Sequence, residues 1–95
     1  MEKIITNSTF SENLKRIRKQ NGLTQEKTVR ELQLLGSTIS RSTYSLIEMG
    51  RGNIFISDLV GLQQIFDVEF KEFFEGISVE RWTAQKGFFY ENIWL

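Results

Sequence analysis

Three glycines divide the first half of the chain into stretches of helical length. Gly22, Gly36 and Gly50 each follow a run whose apolar residues recur three or four positions apart, and a glycine just past such a run is a common way to stop a helix. Thr9 followed three residues later by Glu12 makes a capping-box pattern, and Phe10, Leu14 and Ile17 then share one helical face, so a first helix is expected over residues 10–21. Lys15, Arg16, Arg18 and Lys19 fill its middle and last turns, where the helix dipole favours positive charge. Thr24 can cap a second helix, with Gln25 and Glu26 in its first turn and Val29 and Leu32 facing inward. The segment "GSTI" after it reads as a turn. Ser40 then caps a third helix over residues 41–49, with Tyr44 and Ile47 on its inner face.

Two more helices complete the pattern. A fourth, capped by Ser57, carries Leu59, Leu62, Ile65 and Phe66, and a short fifth carries Phe70, Phe73 and Phe74 as a core stripe. Residues 1–76 therefore read as one all-α domain of five helices. Residues 77–95 form a short apolar extension with two tryptophans, read either as a β-hairpin turning at Gly87 between residues 79–83 and 88–94, or as a short helix over residues 79–86. Trp82, Phe88, Phe89, Ile93 and Trp94 are more apolar surface than a five-helix domain needs, which points to a dimer interface.

The 95 residues suffice for a single small core. They contain neither cysteine nor histidine, so disulfides, thiolate chemistry, the usual transition-metal ligands and the commonest general base all lack their residues. No enzyme, cofactor or metal site is expected. No apolar run approaches the roughly 20 residues that cross a bilayer, and the start "MEKIITNSTF" lacks the apolar stretch of a secretory signal, so a cytoplasmic protein is expected. Net charge is zero but polarised. Residues 1–53 hold nine Lys and Arg against five Asp and Glu, whereas residues 54–95 hold three against seven.

The third helix poses the functional question. In "SRSTYSLIEMGRGN" the residues Ser40, Ser42, Thr43 and Ser45 compete with helical backbone bonding and suit an ordinary surface helix poorly. A helix that enters the major groove of DNA has phosphates on both sides, and small hydroxyls can approach there and bond bases or phosphates. Arg41, in the first turn, can grip guanine O6 and N7 with two bonds. A helix bracing the backbone, a turn, and a helix in the groove make a helix-turn-helix.

The segments "LKRIRKQNGLTQE", "SRSTYSLIEMGRGN" and "LVGLQQIFDVEFKEFF", which span most of residues 10–74, resemble the lambda-repressor-like helix-turn-helix domains of phage repressors and Xre-type regulators. The resemblance implies a five-helix fold that binds double-stranded DNA. It implies that Arg41, Ser42 and Ser45, with Leu46, face base edges, and that Gln25, Ser40, Thr43, Arg51 and Asn53 contact the DNA backbone. It also implies that Arg18 pairs with Glu48. The chain departs from the family in a longer spacing between Thr24 and Ser40, the surplus lying in "LLGSTI". Thr28 stands where a larger aliphatic residue is usual, and Ile54 where proline is common. Leu46, at an outward position that is often polar, suits either contact with a thymine methyl or packing.

The function expected is a sequence-specific transcriptional regulator, a repressor that occupies an inverted-repeat operator as a homodimer. The alternative is an antitoxin-type module whose aromatic tail neutralises a partner protein while DNA binding autoregulates the operon. A toxin gene encoded alongside would separate the two.

Overall fold

A computed structural model of the protein describes residues 3–77. The order is β1 (Lys3–Ile5), α1 (Ser8–Gln20), α2 (Gln25–Leu34), α3 (Arg41–Glu48), β2 (Asn53–Phe55), α4 (Ile56–Phe66) and α5 (Phe70–Phe73). The expected five helices are present and the fold is of the all-α class. The sequence reading lacked the two short strands, which pair antiparallel with Ile4 opposite Ile54. Ile54, nearly inaccessible to solvent, belongs to this ladder and to the core at once. That gives a β-branched residue a reason to stand where the family favours proline. The expected hairpin or helix in the tail, and the interface residues Trp82, Phe88, Phe89, Ile93 and Trp94, lie outside the described residues.

Helix starts follow hydroxyl and amide caps, with two corrections. The α1 helix begins earlier than expected, because Asn7 and not Thr9 accepts the Phe10 amide, at 2.7 Å. Asn is among the strongest N-caps, and Asn7 follows directly on Thr6, whose side chain and amide both bond the Gly52 carbonyl. Thr9 is left inside the first turn. Thr24 and Ser40 cap α2 and α3 as expected, accepting from Lys27 at 3.0 Å and Thr43 at 3.1 Å. Ser57, expected to cap α4, lies within its first turn, because β2 runs straight into the helix with extended Phe55 at the cap position.

The end of α3 shows how sharply the helices stop. Gly50 takes φ +75°, and the amides of Gly50 and Arg51 turn back to the carbonyls of Ile47 and Leu46. Only glycine adopts this backbone freely, so the chain reverses here and β2 can begin three residues later.

The core joins all five helices through Leu14, Ile17, Leu32, Tyr44, Ile47, Leu62, Phe66 and Phe73. Thr28 is fully buried as well. Its hydroxyl donates to the Thr24 carbonyl at 2.9 Å, one turn back, so a polar residue sits in the core without an orphaned group. The phenylalanine stripe of α5 is only partly core, because a helix of four residues packs one face: Phe73 is buried while Phe70 and Phe74 stay about two-fifths exposed. Asn13 fixes α5 to α1, donating to the Phe73 carbonyl at 3.0 Å and the Glu75 carbonyl at 2.8 Å.

Candidate nucleic-acid interface

Six residues, 35–40, connect α2 to α3, against the three or four that are usual in a helix-turn-helix. The surplus seen in the sequence therefore lies mainly in this connection, although Leu34 still belongs to α2. The longer connection is ordered by its own bonds. Gln33 donates to the Ile39 carbonyl at 2.9 Å, and Ile39 is buried in the core. Ser40, next in the chain, then caps α3, so the start of the helix is set by an apolar anchor and a hydroxyl side by side.

The inner face of α3 is locked by a buried ion pair. Arg18 of α1 grips Glu48 with two bonds, Nε to Oε2 at 2.7 Å and Nη2 to Oε1 at 3.0 Å, and its Nη1 donates to the Leu23 carbonyl at 2.7 Å. The side chains are 9% and 2% exposed, so both charges are out of water. Burial alone would raise the Glu48 pKa, but the bonds from Arg18 foremost, the Tyr44 hydroxyl nearby and Gln25 outweigh it and hold the carboxyl below its ordinary value. The pair in turn raises the pKa of Arg18, chiefly through its bond to Glu48. The Tyr44 hydroxyl is buried beside them without a hydrogen bond of good geometry among the described residues. Burial, then the adjacent carboxylate, drives its pKa up. The Ser11 hydroxyl donates to the Ile47 carbonyl at 2.6 Å and ties the last turn of α3 to α1 a second time.

Gln25 carries this anchoring outward. Its amide donates to Glu48 Oε1 at 3.0 Å and accepts from Arg41 Nε at 3.3 Å, while Arg41 Nη1 lies 3.9 Å from Glu26. A chain of contacts thus runs from the buried Arg18 through Glu48 and Gln25 to the exposed Arg41. Nothing in the sequence signals the Gln25–Arg41 contact, since the two are sixteen positions apart with no periodicity linking them.

Successive helical residues turn by about 100°, so the face opposite Tyr44, Ile47 and Glu48 consists of Ser42, Ser45, Leu46 and Met49. All but the half-buried Ser45 are exposed, and Arg41 flanks them at the helix start. The structure therefore brings Ser42, Ser45 and Leu46 onto one outward surface, with Arg41 at its edge. Met49 is exposed in the same stripe, although its position before Gly50 reads in the sequence as a helix end and not as part of a face. Of the residues expected at the DNA backbone, Ser40, Thr43 and Asn53 border one groove of about 170 Å³, where β2 passes the start of α3. Arg51 is exposed at the turn between them, and Gln25 is half-buried.

A bracing helix, a connecting turn and a second helix whose anchored inner face leaves a hydroxyl-rich outer face define a DNA-binding domain of the helix-turn-helix class. The family model described as Helix-turn-helix matches residues 14–73, well over half the chain. The protein belongs to this family, in its Xre and lambda-repressor-like form, and is a DNA-binding regulator. No curated protein and no solved structure matches the chain significantly. Among the described residues no helix is long and apolar enough to cross a membrane.

Proposed function

We propose that the protein is a sequence-specific transcriptional repressor of the cytoplasm that binds an inverted-repeat operator as a homodimer and blocks a promoter by occupancy. The observation that carries this reading is the two-faced α3: an inner face fixed by Arg18 and Glu48, and an outward side with Ser42, Ser45 and Leu46, flanked by the exposed Arg41. Arg41 reads a guanine in each half-site, and Gln25, Ser40, Thr43, Arg51 and Asn53 hold the phosphates on either side. The contact from Gln25 helps to orient Arg41 before DNA arrives, and leaves Gln25 a second amide N–H to offer a phosphate.

Selection of bound duplexes from a random pool, followed by titration of wild type and Arg41→Ala against the selected operator and a scrambled duplex, tests the reading. Arg41→Ala is expected to lose roughly 1–3 kcal/mol and to relax preference at one guanine, while Arg51→Ala weakens all duplexes about equally. A wild-type protein that selects no common sequence would overturn the regulator as sequence-specific.

A further inference from the structure

Leu46 and Met49 are 43% and 56% exposed, and they are the two large apolar side chains on the outer stripe of α3. They lie three positions apart, and their neighbours on that stripe, Ser42 and Ser45, are small, so both stand out from the helix surface. The Ser45 hydroxyl lies 4.0 Å from the Met49 sulfur one turn away, which places the Met49 side chain along the outward face and not under the helix. The chain at Gly52 passes close to the base of Leu46, where an added Cβ would come 3.6 Å from the Leu46 Cβ, while the Leu46 side chain remains 43% exposed.

Two apolar side chains facing a groove walled by phosphates need an apolar target. The major groove offers one, the 5-methyl group of a pyrimidine, carried by thymine and by 5-methylcytosine. An eight-residue helix is about 12 Å long, and lying along the groove it covers about four base pairs at about 3.4 Å each, so both ends of α3 can remain over base edges. Resting on the DNA-reading role of α3 argued above, we infer that Met49 is a further specificity-determining residue, which with Leu46 forms a strip that reads pyrimidine methyl groups. Met49 lies about 12 Å along the helix from Arg41, so the methyls read are within about four base pairs of the guanine at the usual base spacing of about 3.4 Å. The thioether is long, unbranched and polarisable, and it can settle against a methyl without exact geometry.

The test uses the full chain and the selected operator, with thymines replaced singly by deoxyuridine, which removes the methyl group and nothing else. Wild type is expected to bind about four-fold more weakly for each methyl that is read. Met49→Ala is expected to bind the operator more weakly and to lose that discrimination at one thymine at least, while keeping its guanine preference. Met49→Gln, which keeps the length and removes the apolar end, is expected to do the same, and an unchanged melting temperature shows that both variants are folded. Exchanging the thymine for cytosine and then for 5-methylcytosine separates the two sources of the methyl: a gain in affinity from the second over the first supports methyl reading, and no difference counts against it. Full deoxyuridine discrimination in both Met49 variants overturns the role of Met49 while leaving the repressor reading intact. A wild type without any sequence preference removes that reading first and this inference with it.

Discussion

At the scale of single residues, Glu48 decides whether the site is ordered, because groups from α1, α2 and α3 converge on its carboxylate. Breaking a buried ion pair by removing one partner leaves an uncompensated charge and costs roughly 3–5 kcal/mol. Glu48→Ala is therefore expected to lower stability by that amount in thermal or denaturant unfolding. The double variant Arg18→Met, Glu48→Leu should lose less than Glu48→Ala alone, and a melting temperature unchanged in Glu48→Ala would show that the pair contributes nothing. The pH dependence has a definite sign. Because the folded-state pKa of Glu48 is depressed, its contribution is complete above the unfolded-chain value of about 4.3, and it is lost as pH falls through the lower folded value. Wild type should lose stability more steeply than Glu48→Gln on acidification below about pH 5, and equal slopes would argue against the shift. Removal of the Tyr44 hydroxyl, by contrast, should cost less than Glu48→Ala, since Arg18 and Gln25 still bond the carboxylate. The Arg18–Glu48 pair was legible in the sequence through the family pattern, and the geometry bears it out. The Gln25–Arg41 contact was not, because it depends on how two helices cross.

At the scale of elements, what could be read in the sequence follows from how local each signal is. Ser40 with its run of hydroxyls, Thr24 before its acidic first turn, and the glycine stops are decisions made within a few residues, and each falls where it was read. The strands were illegible because three residues cannot display an alternating pattern, and their pairing joins positions some fifty residues apart. The fate of the α5 phenylalanines was likewise hidden, because spacing shows that they share a face but not how much of that face another helix covers. Ser40 provides the test at this scale. It caps α3 and also borders the groove where backbone contacts are proposed. Ser40→Ala should cost about 1 kcal/mol of stability through the lost cap, whereas Ser40→Gly should cost only a few tenths. If the hydroxyl also meets phosphate, both variants should bind DNA more weakly and to a similar degree, so affinity and stability would part company in Ser40→Gly. Equal affinity of Ser40→Gly and wild type would confine Ser40 to its capping role.

At the scale of the whole molecule, the question is how one small domain distinguishes an operator from other DNA. A single recognition helix of eight residues reaches few base pairs, and two copies related by a two-fold axis would double the sequence read, with half-site centres about 10 bp apart or a multiple of that. The proposed means of association is the apolar tail of residues 77–95. An apolar surface already leads toward it, for Phe70, Phe74 and Ile77 are each about two-fifths exposed where the described chain ends, and Phe74 stacks on Phe10 with ring centroids 5.9 Å apart. The net positive half of the sequence contains α1, α2 and α3, whereas the net negative charge of the second half lies in residues 54–76, around α4 and α5, and residues 77–95 are neutral, so the phosphate-attracting charge lies with the helix-turn-helix and not with the tail. Joining two half-site contacts makes the second effectively intramolecular and can raise affinity by about 10²–10⁴ without any new contact to DNA. A chain ending at Gly76 is therefore expected to sediment as a monomer where the full chain is a dimer. It should bind an isolated half-site about as well as the full chain does, but bind the complete inverted repeat at least about 100-fold more weakly. Sedimentation of both chains as the same species would remove the tail from the interface. Equal binding of the complete repeat by both would show that association, however it occurs, does not depend on residues 77–95.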